Sequence, residues 1–291
     1  MKKKVLKLTT RKSLVGASFI LPWIIGFFWF FFVPLVQSLM LSVGENIDVL
    51  SFKIKFIGMD NYSRAFFSDA NFVPMFIGIV KETLTNVPLI TVFSFYIAIL
   101  LNRKIKGRAI FRAIYFLPVI LGTGFIMRQL LSQNIEQSSI EAAKAFLLPD
   151  EIVRYLGADI TTAIVTFLSK LTFILWRSGV QILIFLSGLQ SINSTLYEAA
   201  KVDSATEWES LWFITIPMMM PTILLNIVYT MVDGFTDATN PIIEYIGNMA
   251  FSWANDYSYA SAMGWIYLIF TLILIAVVFI PMRKISGHEK I

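Results

Sequence analysis

The segment EAAKVDSATEWESLWFITIPMMMP, residues 198–221, sets four carboxylates (Glu198, Asp203, Glu207, Glu209) against one lysine, Lys201, and then runs into apolar sequence. Oily segments flank it on both sides. It is polar only for the length of a loop, as expected of a connector between two membrane spans.

The whole chain supports that reading. Of its 291 residues, 57% are hydrophobic and 15% charged, and the mean hydropathy is +0.72. A soluble domain is roughly 45–50% apolar, so this chain has too little polar surface to cover a water-soluble body. The class expected is a polytopic membrane protein. The net charge of +5 is no nucleic-acid signal, because the basic residues sit in short runs beside apolar segments. There is no cysteine, which excludes disulfides, thiolate metal sites and a cysteine nucleophile. The single histidine, His288, reads as part of a tail.

A helix needs about 20 mostly apolar residues to cross a bilayer. Six stretches qualify: 16–41, 76–101, 109–131, 161–189, 211–232 and 261–281. The first is too long for a signal peptide and lacks a small-residue cleavage site, so it is expected to be retained. Orientation follows from the Lys and Arg of the connecting segments. The N-terminal tail, the 103–108 loop with Arg103, Lys104, Lys106 and Arg108, the acidic loop and the C-terminal tail carry fourteen; the opposite loops carry five. The fold expected is all-α, with six spans and both termini cytoplasmic. Residues 1–15 form a basic tail, 16–281 the membrane domain with its cytoplasmic loop at 190–217, and 282–291 a second tail.

The acidic loop therefore falls on the basic side, where topology does not explain it. Thr195-Leu-Tyr-Glu198 fits a capping box, and Ser204-Ala-Thr-Glu207 fits another. These predict a short helix, a turn near Asp203–Ser204, and a second helix leading into the fifth span. Pro217 and Pro221 predict a bend there. Ala199 and Ala200 keep one face of the short helix small. Such a face, flanked by carboxylates, suits close approach of another protein; a solvated connector is the plainer alternative.

These residues resemble the EAA motif of permease subunits of bacterial ABC importers: E-A-A, three residues, Gly, nine residues, Ile, any residue, Leu, Pro. Glu198-Ala199-Ala200, Ser204 and Ile214-Thr215-Ile216-Pro217 keep every interval, with Ser204 for the glycine and Ile216 for the leucine. Further stretches resemble the sugar-type members: LPWIIGFFWFFFVPLVQSLMLS at 21–42, FIGMDNYSRAF at 56–66 and ILLNRKIKGRAIFRAIYFLP at 99–118. The resemblance implies a six-span subunit that pairs with a second, different six-span permease. It implies docking of two ATPase subunits through a coupling helix containing Glu198, Ala199, Ala200 and Lys201, followed by Asp203 and Ser204. It implies an extracytoplasmic binding protein that delivers sugar, and a place in the bacterial plasma membrane. The chain has no G-x-x-x-x-G-K-[ST] loop, so no cofactor is expected on it; ATP and magnesium would lie on the partner ATPase.

Ionisable residues within a span are costly and default to functional hypotheses. Arg177 is the deepest, with Trp176 beside it, Lys170 seven residues earlier and Gln181 four later on the same helix face. Asn226 and Tyr229 lie in the fifth span and Asp233 near its end. Two readings compete. Lys170, Lys81 and Arg128 snorkel to headgroups while Arg177 pairs with Glu82 or a partner's acid; or Arg177, Gln181, Asn226 and Tyr229 line a substrate path. Lys170 and Arg177 as a basic row would favour an anionic sugar such as a uronic-acid oligosaccharide. The segment 234–260 is rich in aromatics and reads either as a contact surface or as an interfacial aromatic belt. The segment 133–159 is polar and reads as a short amphipathic helix. No catalytic constellation is visible. A self-contained secondary transporter would usually show inverted repeats, and none is apparent.

Overall fold

The computed structural model describes residues 8–48, 53–103, 157–237, 239–253 and 256–287. The expected third span at 109–131, Arg128, Lys104, Lys106, Arg108, His288 and most of the 133–159 segment lie outside them. The described residues are overwhelmingly helical. Five stretches among them are long and apolar enough to cross a membrane: Gly16–Ser42, Phe72–Asn102, Ile160–Arg177, Glu207–Phe251 and Tyr257–Met282. In a bilayer a helix satisfies its own backbone groups, which is why apolar sequence takes this form.

By its internal contacts the chain divides into two compact units, Met1–Val73 with Tyr245–Ile269, and Pro74–Glu244 with Phe270–Ile291. The first unit opens with helices α1 (Leu8–Phe27) and α2 (Val33–Ser42), joined by a π-helical turn at Phe28–Phe32. The wide turn falls just before Pro34, which has no N–H to return to the carbonyl four residues back. Trp23, Phe27 and Phe31 stack along this helix with centroids 5.6 and 5.0 Å apart. None of the residues in its most apolar stretch is buried. The described residues agree with the all-α class, with one short hairpin added to it. Strands β1 (Gly44–Asp48) and β2 (Lys53–Phe56) pair antiparallel, Gly44 opposite Phe56 and Asn46 opposite Ile54. Gly44 is required there, since a Cβ would lie 2.2 Å from the Ile54 side chain.

The next turn explains the residues of the 56–66 stretch. Gly58 takes φ +71, and its amide donates to the Val43 carbonyl at 3.1 Å. Asn61, at the start of α3 (Asp60–Ser63), donates to the carbonyls of Ser42 (3.2 Å) and Gly44 (3.0 Å). The Tyr62 and Ser42 hydroxyls meet at 2.8 Å.

The second unit is built on α4 (Phe72–Asn102), α5 (Ala158–Arg177), α6 (Gly179–Ser191), α7 (Ser194–Val202), α8 (Glu207–Ser210) and α9 (Ile216–Thr236). The expected fourth span, 161–189, is two helices: the chain breaks at Ser178, between Arg177 and Gly179. The core joins Ala98 and Leu101 of α4 to Ile182, Phe185, Leu186 and Leu189 of α6 and Met219 of α9. Phe95 packs edge-on against Phe185, centroids 5.2 Å apart. α6 and α9 approach through Gly188, where a Cβ would sit 2.8 Å from the Thr222 hydroxyl and 2.9 Å from its methyl. A second wide turn, Leu211–Thr215, precedes Pro217. The fifth span expected at 211–232 is longer, because α9 continues to Thr236. Helices α10 (Pro241–Asn248) and α11 (Tyr257–Gly287) complete the chain.

Candidate functional site

Helix α7 starts two residues earlier than the capping-box reading placed it. Asn193 is its N-cap and accepts from the Thr195 amide at 3.1 Å; Thr195 is already helical. The C-terminal end closes as a Schellman motif. The Ala205 amide donates to Ala200 (2.9 Å) and the Ser204 amide to Lys201 (3.1 Å). Ser204 is left-handed, φ +61, and no other non-glycine residue among those described has positive φ. This is the position where the EAA pattern places glycine, which adopts that conformation without steric cost. Ser204 therefore cannot cap the following helix, and the second box is displaced as well. Thr206 is the N-cap of α8: it donates from its amide to Glu209 (2.7 Å) and accepts from the Glu209 amide (3.2 Å). Glu207, released from capping, forms an exposed ion pair with Arg103 at 2.8 Å.

The result is a short helix with one face held and the other presented. Ala200 is buried, and Tyr197 meets the Thr215 hydroxyl at 2.9 Å. Glu198, Ala199, Lys201, Asp203 and Ser204 are exposed. Val202, absent from the sequence reading, is 84% exposed. An apolar residue between Lys201 and Asp203 was the signal for it.

The second cluster forms around Arg177, the last residue of α5. A cation suits a helix C-terminus. The guanidinium donates to Asp233 at 3.0 Å and to Asp237, and lies 5.4 Å from the centre of the Phe173 ring. Asp237 caps the turn after α9 by accepting from the Thr239 amide at 2.7 Å. The expected pairing of Arg177 with Glu82 is thus replaced by two acids one helical turn apart. Glu82 instead accepts a long, 3.4 Å hydrogen bond from Asn86. Glu82, Asn86, Arg177, Thr230, Asp233 and Asp237 line a cavity of about 90 Å³. Asp237 could have been suspected from its four-residue spacing to Asp233.

The remaining candidates are dispersed. Lys170 is exposed, Trp176 and Tyr229 are half-buried, and none of the three lines that cavity. Gln181 belongs to a new helix beyond the break. It is 1% exposed, and its amide has no hydrogen-bond partner among the described residues. Asn226 is fully buried and donates to the Gln181 carbonyl at 2.9 Å, tying α9 to α6.

Within the first unit, Asp69 caps α4 through the amides of Asn71 (2.9 Å) and Phe72 (3.1 Å). Its other oxygen accepts from Tyr245 (2.9 Å) and Tyr259 (2.6 Å). Burial raises the Asp69 carboxyl, but the bonds from Tyr259, Asn71, Tyr245 and Phe72 outweigh it and hold the group below the ordinary aspartate value. Arg64 covers the Tyr259 ring at 4.0 Å and pairs with Asp256 at 2.8 Å. Two aromatics of the 234–260 segment are therefore internal fasteners, whereas Phe251 is 73% exposed.

Among the described residues, apolar helices long enough to cross a membrane flank a short, capped and exposed helix, as expected of a membrane permease. Residues 59–286 match the family described as "Binding-protein-dependent transport system inner membrane component", and the chain belongs to that family. It is accordingly a multi-pass inner-membrane protein and an ABC transporter permease. It is 31% identical to the probable ABC transporter permease protein YesP of Bacillus subtilis (strain 168), over 92% of this chain and 90% of YesP. It is 28% identical to the multiple sugar-binding transport system permease protein MsmF of Streptococcus mutans serotype c, over 90% of this chain and 91% of MsmF. The crystal structure of a bacterial alginate ABC transporter, in complex with its alginate pentasaccharide-bound periplasmic protein, has a chain of the same fold. The TM-score is 0.64 at 20% identity, covering 95% of this chain and 96% of that one.

Proposed function

We propose that this chain is one of two permease subunits of an ATP-driven importer that carries a sugar or oligosaccharide into the cytoplasm by alternating access. The observation that carries the reading is the geometry of α7. Its Ala200 face is held against the protein through Tyr197 and Thr215, and Glu198, Ala199, Lys201, Val202 and Asp203 project outward. In this reading α7 is the coupling helix. It seats in an ATPase subunit, with Ser204 setting the turn that ends it. ATP hydrolysis lies on two separate ATPase subunits, the second six-span permease supplies the other coupling helix, and an extracytoplasmic binding protein delivers the substrate. Both termini and α7 face the cytoplasm, in agreement with the Lys and Arg distribution. The sugar class is supported by relatives such as the permease protein of the multiple sugar-binding transport system.

The substrate path is assigned to the bundle of the second unit. Arg177 sits at the path with Gln181, Asn226 and Tyr229 near it, and Trp176 offers an indole to a sugar face. Lys170 belongs to the interface. The cavity is smaller than the roughly 300–1,000 Å³ of ligand pockets, so a sugar is admitted only when the helices part.

The test is a Glu198→Ala, Ala199→Glu double substitution in the assembled importer, which should abolish ATP-dependent sugar uptake while the chain stays in the membrane. Undiminished uptake would remove the docking assignment. Gentle purification should bring down a P-loop ATPase and a second six-span protein.

A further inference from the structure

The charge of the cavity beside Arg177 bears on which sugars it can take, given the permease reading above. A basic row of Lys170 and Arg177 would suit an anionic sugar, but that row does not form. Lys170 is exposed and does not line the cavity. The Arg177 guanidinium is occupied by Asp233 and Asp237. Among the described residues, the charged groups that line the cavity are this one cation and the carboxylates of Glu82, Asp233 and Asp237. Counted at formal charge, three acids against one base leave two negative charges.

We propose that this cavity selects an uncharged polyhydroxyl substrate and rejects sugars that carry a carboxylate. An acidic sugar would have to displace Asp233 or Asp237 from Arg177 and then meet the displaced carboxylate and Glu82 at close range, where like charges repel. A neutral sugar needs no such exchange. Ionised carboxylates only accept hydrogen bonds, and the oxygens that Asp233 and Asp237 turn to Arg177 each keep a lone pair beyond the one given to it. Sugar hydroxyls can therefore donate to them while the ion pair stays intact. The shared fold with an alginate transporter does not argue otherwise, since fold leaves the site's chemistry open.

The chain has no cysteine, so a single introduced thiol can probe the local field in the full-length protein. Asn86→Cys places one at the cavity lining. Phe67→Cys, at a side chain 88% exposed, serves as reference. Each is reacted with a trimethylammonium-ethyl and a sulfonato-ethyl methanethiosulfonate. The cation-to-anion rate ratio at position 86 should exceed that at position 67 by about tenfold or more at low salt, because a cleft of one sign concentrates the opposite ion. Adding Asp233→Asn and Asp237→Asn should erase the excess. A ratio at or below the reference overturns the proposal, and so does a thiol at position 86 that reacts with neither reagent. Uptake by the assembled importer separates the two layers of the argument. Preference for a uronate over its matched neutral oligosaccharide would refute the selectivity alone. Absence of any ATP-dependent sugar uptake would refute the permease reading, and the labelling ratio would still report the charge.

Discussion

Replacing Arg177 with methionine keeps an apolar stem but strands two carboxylates one helical turn apart. Removing one partner of a buried ion pair costs about 3–5 kcal/mol. The Arg177 side chain is 16% exposed, but Asp233 and Asp237 are 38% and 25% exposed. Water and counterions can therefore reach both acids, and the expected cost falls to about 2–3 kcal/mol. At about 2–4 °C per kcal/mol for a chain of this size class, the apparent melting temperature in a mild detergent at pH 7 should drop by roughly 4–12 °C. Adding Asp233→Asn and Asp237→Asn removes the stranded charges and should return most of that loss, since an ion pair replaced as a unit is close to neutral. The assay is fluorescence-monitored unfolding of the single, double and triple variants in one cycle. If Arg177→Met alone leaves melting unchanged, or the triple variant is no better than the single, the triad does not hold α5 to α9.

Three other substitutions probe the scaffold. Gly188→Ala should destabilise by about 1–3 kcal/mol through overpacking, and Thr222→Ala should relieve most of it by removing both Thr222 atoms in the way, since the flexible end of Met219, also 2.9 Å from the new Cβ, can move aside; an unrelieved defect in the same melting assay would show that Thr222 is not the obstruction. Ser204→Gly should stabilise the end of α7 by about 0.5–1 kcal/mol, the left-handed cost of a Cβ less the extra chain entropy of glycine, read as slower amide exchange at 204–206; faster exchange would contradict the assigned turn. Asp69→Asn tests a pH dependence. The Asp69 carboxyl is held below its ordinary value, so its contribution is present at neutral pH and lost as pH falls through the lowered value. The wild type should melt above Asp69→Asn at pH 7 and the gap should close below about pH 4; a gap that widens on acidification would mean the charge is not stabilising.

Five of the six expected spans coincide with described apolar helices, because hydropathy over 20 residues averages out local detail. The described spans overlap the expected ones, and the helices run a few residues past the apolar stretches. Finer features were ambiguous for particular reasons. Ser204…Glu207 and Thr206…Glu209 both fit a capping box, and only the left-handed Ser204 decides between them. Arg177-Ser178-Gly179 carries a break that an apolar average smooths over. The partners of Arg177 both lie beyond the expected end of the fifth span at 232, so an apolar-stretch reading does not single out Asp237 as an intramembrane acid. The β1–β2 pairing rests on strands of five and four residues, too short for the alternation of Lys53-Ile54-Lys55-Phe56 to stand out. The short helix around Glu198–Lys201 was legible from spacing, whereas the exposure of Val202 depends on which face that helix turns outward, and that follows from the Tyr197 and Ala200 contacts.

The bond between Tyr197 and Thr215 gives α7 a crank. It fastens the short helix to the wide turn at Leu211–Thr215, just ahead of Pro217, where the ladder of backbone bonds is weakest and the rod of α9 bends or twists most easily. Eighteen residues beyond Thr215, about 27 Å at 1.5 Å per residue, Asp233 grips Arg177. A displacement delivered to α7 is therefore applied at one end of a lever whose other end holds the ion pair.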